Sequence, residues 1–167
     1  MTKDTPMTIK TGDRLPEATL TIATADGRDQ KSTADMFGGR TVAVFSVPGA
    51  FTPTCSAKHL PGFVTHADAL KAKGIDEIVC MSVNDAFVMA AWAKSAHATD
   101  KITMVADGNA DFTKALGLEM DATKFGMGIR GQRFSFVAKD GVVAHLFIEE
   151  PGAFAVSSAE HMLAQLG

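Results

Sequence analysis

Thr41-Val42-Ala43-Val44-Phe45-Ser46-Val47-Pro48-Gly49-Ala50-Phe51-Thr52-Pro53-Thr54-Cys55 is the stretch that decides the fold. Residues 41–47 form an apolar run that predicts a buried strand. Pro48 and Pro53 stiffen the turn that follows. Beyond it the apolar residues fall at helical spacing, so Cys55 stands where a strand hands over to a helix. The first N–H groups of a helix lack internal partners and carry partial positive charge. A thiol placed there loses its proton more easily, and the thiolate is the nucleophile. Thr52, three residues earlier, offers a hydroxyl that both donates and accepts. The arrangement suits a thiolate that attacks a small polar molecule held by the same hydrogen bonds.

Downstream, Leu60, Phe63, Ala67 and Leu70 mark an amphipathic helix over residues 56–73. Pro61 interrupts it. The expectation is a first turn carrying Cys55, a break near His59-Leu60, and a longer helix ending before Gly74. Such a separable first turn would open locally at low cost. Residues 77–83 read as a second buried strand containing Cys80. Asn84-Asp85 caps a helix over 86–97, with Phe87, Val88, Ala91 and Trp92 toward the core. A strand at 101–106 and a helix at 111–118 follow. Strands at 132–138 and 142–148 are joined through Lys139-Asp140-Gly141, a hairpin signal. Ser157 or Ser158 caps a last helix, with Glu160 in its first turn.

Upstream, residues 17–22 alternate weakly as a strand and Asp26-Gly27 marks a turn. Residues 31–37 read as one helical turn before Gly38-Gly39. No repeat, low-complexity tract or linker appears, so the expectation is a single domain spanning 1–167. Alternating elements that end in a hairpin predict an α/β, thioredoxin-like sandwich with a mixed central sheet flanked by helices.

The composition agrees. The chain has 167 residues, 46% of them hydrophobic and 21% charged, with a net charge of −3. That is enough for one substantial core. The mildly acidic balance argues against nucleic-acid binding. No apolar stretch approaches the roughly 18 residues of a membrane span. Residues 1–14 are polar and lack the apolar heart of a signal peptide, which makes the cytoplasm the default. Two cysteines make no disulfide framework and are expected to be reduced. His59, His66, His97, His145 and His161 are scattered, no zinc spacing is present, and no metal or cofactor is expected.

The remaining candidates each have two readings. Thr52 stands where a C-x-x-C motif would have its first cysteine, so Thr52-Pro53-Thr54-Cys55 cannot form a dithiol couple. Cys80, within Ile78-Val79-Cys80-Met81, is an inert core thiol or a resolving cysteine. Arg130 and Arg133 flank Gly131. They are a surface pair, or one of them holds a thiolate ionised. His59, one turn beyond Cys55, is a general base or a hydrogen-bonding residue at the Pro61 break.

The run 47–56 resembles the active-site loop of the peroxiredoxins, whose pattern is Pro-x-x-x-Thr-x-x-Cys. His59-Leu60-Pro61-Gly62-Phe63, Ser82-Val83-Asn84-Asp85-Ala86-Phe87, Trp92 and Arg133-Phe134-Ser135 resemble the peroxiredoxin-5 or plant type II subfamily, from about Lys10 to the C-terminus. The resemblance implies a thioredoxin fold and a thiol peroxidase acting on hydrogen peroxide and alkyl hydroperoxides. By the same resemblance Cys55 is the peroxidatic cysteine, Thr52 bonds the peroxide and the thiolate, Pro48 shields the pocket, and Arg133 stabilises thiolate and transition state. The animal form carries a further cysteine near its C-terminus that this chain lacks. The expected cycle therefore uses one cysteine and an external thiol, glutathione with or without a glutaredoxin acting in trans. The resemblance also implies a homodimer, with Phe51 and the segment around Phe87 as contacts. The competing function is a redox sensor or relay, in which Cys55 passes its oxidation to a protein partner.

Overall fold

The 41–47 run forms the strand it predicts, near the middle of the sheet. In the computed structural model, which describes residues 8–54 and 58–166, the order of elements is β1 (Thr19–Thr24), β2 (Gly27–Ser32), α1 (Thr33–Phe37), β3 (Thr41–Val47), α2 (Leu60–Thr65), α3 (Ala67–Ala72), β4 (Glu77–Ser82), α4 (Ala86–Ser95), β5 (Thr103–Ala106), α5 (Asp111–Ala115), β6 (Glu119–Asp121), β7 (Ile129–Gly131), β8 (Phe134–Lys139), β9 (Val142–Ile148) and α6 (Ala159–Gln165). Seven strands pair in the order β2-β1-β5-β4-β3-β8-β9, and β6 and β7 form a separate two-stranded sheet. β3 runs parallel to β4 and antiparallel to β8, so the main sheet is mixed.

Helices cover both faces, which is why β3 is apolar almost throughout. Ala43, Phe45 and Val47 point into one core with Phe63, Leu70, Trp92 and Met162 from α2, α3, α4 and α6. Val42 and Val44 point into the other, with Met36, Phe37, Phe112 and Leu116. Phe45 stacks on Phe63 with ring centroids 4.1 Å apart. Each such fully buried side chain contributes about 1.5–3 kcal/mol by leaving water. This is the expected thioredoxin-like sandwich.

Three local readings need correction. Lys31 and Ser32 belong to β2, an edge strand with little apolar character, and only Thr33–Phe37 is helical. Ser32 caps α1, its Oγ accepting from Asp35 N at 3.0 Å. α2 begins at Leu60, at the expected break, with Pro61 in its first turn, where a missing N–H costs nothing, but the longer helix beyond is divided again at His66. Gly62, Val64 and Thr65, poor helix formers, precede that break. In α4 the buried residues are Ala86, Met89, Trp92 and Ala93, while Phe87 is 74% exposed and Ala91 is exposed. The Asp85 carboxylate, accepting from Val88 N at 2.8 Å, fixes the entry of the helix and with it the buried stripe. The cap expected for α6 at Ser157 or Ser158 is present, and Ser158 supplies it.

The Asp140-Gly141 turn forms as read, with both residues at positive φ (51° and 76°), as a two-residue hairpin turn demands. Among the described residues no helix is long and apolar enough to cross a membrane.

Candidate active site

The loop after β3 is held by groups from two other segments and by a bond of its own. Asn84 Oδ1 accepts two hydrogen bonds, from Ala50 N at 2.9 Å and from Ser82 Oγ at 2.6 Å. The Thr52 hydroxyl donates to Gly49 O at 2.6 Å. Its hydrogen is thus committed, and its lone pairs are left to accept. Arg130 crosses to the same loop. Its Nε donates to Met127 O at 2.9 Å, and its Nη1 donates to Val83 O at 3.2 Å and, at the outer limit, to Pro48 O at 3.5 Å. A side chain on Gly49 would place Cβ 3.1 Å from Thr52 Cγ2 and 3.2 Å from Arg130 Nη1. Glycine at this position lets the guanidinium approach. Phe51 takes φ +63°, an uncommon conformation for a bulky residue. Its half-exposed ring lies 6.4 Å from that of Trp92.

A second group gathers where β8 begins. His59 is buried, and its Nε2 lies 2.9 Å from Ser157 O. A carbonyl only accepts, so Nε2 carries the proton and Nδ1 carries a lone pair. That lone pair accepts from Arg133 Nη1 at 2.8 Å. Burial first, and then the Arg133 charge, lower the His59 pKa from 6.5 to about 3, against the Ser157 bond and the Glu149 charge. Arg133 also lies over the Phe154 ring, 5.8 Å from its centroid.

Behind His59 stands a buried carboxylate. Glu149 Oε2 accepts from the backbone N–H groups of Ala155, Val156 and Ser157, each at 2.8 Å, and from Ser157 Oγ at 2.7 Å. Burial pushes this carboxyl up, but the hydrogen bonds from Ser157, Ala155 and Val156 outweigh it and hold it below the usual carboxylate range.

The two walls lie on loops that follow or precede central strands, where open α/β sheets place their ligands. Comparison with known proteins says which ligand chemistry. The Redoxin family profile matches residues 10–163. The chloroplastic peroxiredoxin-2E-2 of Oryza sativa subsp. japonica is 52% identical over 164 residues, covering 95% of this chain and 73% of that protein. The chain belongs to the peroxiredoxin family. Peroxiredoxin-2B of Arabidopsis thaliana is 45% identical, over 95% of this chain and 98% of its own. The structure of reduced Prx3 in complex with H2O2 from Vibrio vulnificus is 52% identical, with a TM-score of 0.91 over 95% of this chain and 99% of that one. The type II resemblance is thereby shown, and this peroxiredoxin is a thiol peroxidase acting on hydroperoxides.

The peroxiredoxin's candidate residues divide between the two walls. Pro48, Phe51 and Thr52 lie on the first, and His59 and Arg133 on the second. Cys55, and with it the expected helical turn that carries it, lies outside the described residues. Cys80 is fully buried in β4 on the face of Phe45 and Trp92. His59 does not fit the general-base reading, since its lone pair is taken and its imidazole stays neutral far below neutrality. The hydrogen-bonding reading is the one the structure shows. Arg130 is not a surface residue but a clamp on three carbonyls. Glu149, Phe154 and Ser157 escaped the sequence reading, because only the fold brings them to His59. A cavity of about 630 Å³ between α4 and the β1/β5 edge, lined by Ile22, Ala90, Lys94, Ile102 and Met104 among others, includes none of the site residues.

Proposed function

We propose that this peroxiredoxin runs a one-cysteine cycle at Cys55 and is recycled by glutathione, alone or with a glutaredoxin acting in trans. The Cys55 thiolate attacks the terminal oxygen of hydrogen peroxide or an alkyl hydroperoxide. An S–O bond forms, the O–O bond breaks, and the leaving oxygen departs as hydroxide or alkoxide and takes up a proton. Cys55 is left as sulfenic acid. Glutathione condenses with it, releasing water and forming a mixed disulfide. A second thiol attacks that disulfide and restores Cys55.

The site chain supplies the rest of the chemistry. Arg133 presents a guanidinium that cannot give up its proton, to favour the thiolate and the charge moving onto oxygen. Thr52, with its hydrogen committed to Gly49 O, offers lone pairs to the peroxide O–H. Pro48 closes the loop against water. Phe51 borders the entry and, with the exposed Phe87, is the proposed contact of a homodimer. The proposed compartment is the cytoplasm, although two relatives, from rice and Arabidopsis, are chloroplastic proteins.

The observation that carries the one-cysteine reading is the setting of Cys80. Its residue pairs with Phe45 of β3 on one side and Met104 of β5 on the other, and its side chain is fully buried. A disulfide at Cys80 would lie inside that core, where an incoming thiol has poor access to reduce it.

Intact-protein mass spectrometry after one equivalent of hydrogen peroxide, with and without glutathione, tests this reading. A glutathione adduct in wild type and in Cys80→Ser, and none in Cys55→Ser, is the expected result. Loss of two hydrogens in wild type but not in Cys80→Ser would replace it with a two-cysteine cycle. Oxidation without turnover by any small thiol would favour the relay.

A further inference from the structure

We propose that Glu149 is a positioning residue for Arg133, acting through residues 155–157 and the ring of His59. The proposal rests on the assignment of Arg133 to the Cys55 thiolate. It begins with an oddity, a carboxylate only 7% exposed that spends one oxygen on four donors. An ionised carboxylate is acceptor-only, so it can gather consecutive amides as no hydroxyl could. With its N–H turned to Glu149, Ser157 turns its carbonyl to His59 Nε2.

That contact sets a tautomer. The His59 ring is held between aromatic neighbours, with centroids 4.9 Å from Phe45, 5.7 Å from Phe63 and 5.0 Å from Phe154. A ring so packed does not swivel, and the one choice left to it is which nitrogen holds the proton. Ser157 O requires the proton on Nε2, which leaves Nδ1 as an acceptor facing Arg133 Nη1. Without Ser157 O in place, a proton on Nδ1 would face an N–H of the guanidinium, two donors against each other. The chain also closes on itself, for Glu149 N donates to Arg133 O at 3.0 Å across the sheet ladder. Carboxylate, loop, imidazole and guanidinium thus form one ring of contacts. Its two ends face each other one residue beyond the paired ends of β8 and β9.

The test is the pH dependence of Cys55 alkylation by iodoacetamide, read by peptide mass spectrometry so that Cys55 is scored apart from Cys80. Peroxide kinetics are measured on the same proteins. Glu149→Gln should raise the alkylation midpoint by about one pH unit and lower kcat/KM for hydrogen peroxide about tenfold. Arg133→Lys should shift the midpoint the same way, and the double variant should match Arg133→Lys alone, since both changes act through one group. An unmoved midpoint in Glu149→Gln, even with a lower melting temperature, overturns the proposal. So do additive losses in the double variant. A flat Arg133→Lys profile removes the arginine's role and this proposal together, whereas a shifted one beside a flat Glu149→Gln profile removes this proposal alone. If Glu149→Gln does not fold, Ser157→Ala, which deletes one donor of the four, should give a smaller shift in the same direction. No shift there is equally decisive.

Discussion

The loop wall and the arginine wall of the site are fixed by different physics. The 48–52 loop hangs on neutral acceptors: Asn84 Oδ1 holds Ala50, Gly49 O holds Thr52, and three carbonyls hold Arg130. Among the described residues these contacts involve no carboxylate and no imidazole. Arg133 is instead held through an imidazole, and behind it stands a carboxylate. The loop wall should therefore hold its shape even in acid, whereas the arginine wall should loosen there, as His59 protonates toward about 3.

The largest expected effect separates the two arginines. Arg133→Lys should lower kcat/KM for hydrogen peroxide by about 100-fold, because a point charge cannot keep both the His59 bond and a fork aimed into the site. Arg130→Lys should cost about 1 kcal/mol of stability and only a few-fold in rate, since it loses carbonyl contacts alone. Stopped-flow kinetics on both variants decides. If Arg130→Lys is the slower enzyme, the roles are reversed.

Asn84→Ala comes next. It strips the acceptor from Ala50 N and Ser82 Oγ, and should cost about 1–3 kcal/mol in urea denaturation. The rate should fall about tenfold as the loop loosens, with no movement of the pH profile. A shifted profile would show that the two walls are coupled.

The smallest effect is on the pH dependence of stability. His59 and Glu149 both have folded pKa values below their ordinary ones, so the unfolded chain binds more protons and stability falls as pH falls. The His59 contribution is complete above 6.5 and is lost progressively from there toward about 3. That of Glu149 is complete above 4.5 and is lost below it. Urea midpoints should thus decline between pH 6.5 and 4.5 in wild type, and the decline should flatten in His59→Gln. An equal slope in both proteins would place the titration elsewhere.

What the sequence revealed follows the same division. β3 was legible to the residue, because a strand covered on both faces leaves an apolar run. The Asp140-Gly141 turn was legible because its backbone demands those residue types. Pro48, Thr52 and the strand-to-helix junction lie within one short run, so the loop wall could be read locally. β2 was not legible: it pairs through its backbone while its side chains stay in water. Phe87 misleads because its apolar character suggests burial, whereas Asp85 sets the face that α4 turns inward. Glu149 had no local signal. Its carboxylate matters because the β8–β9 pairing sets it beside Arg133 and the chain then returns over it at Ser157, 98 residues beyond His59.

The plainness of β2 has its own consequence. One edge of the seven-stranded sheet is Gly27–Ser32, with Arg28, Asp29, Gln30 and Lys31 all exposed. An exposed edge is a template on which a stray chain could add and seed insoluble polymer. Charges of both signs along these six residues make that addition costly, so the strand that contributes least to the core guards the protein against aggregation at high concentration.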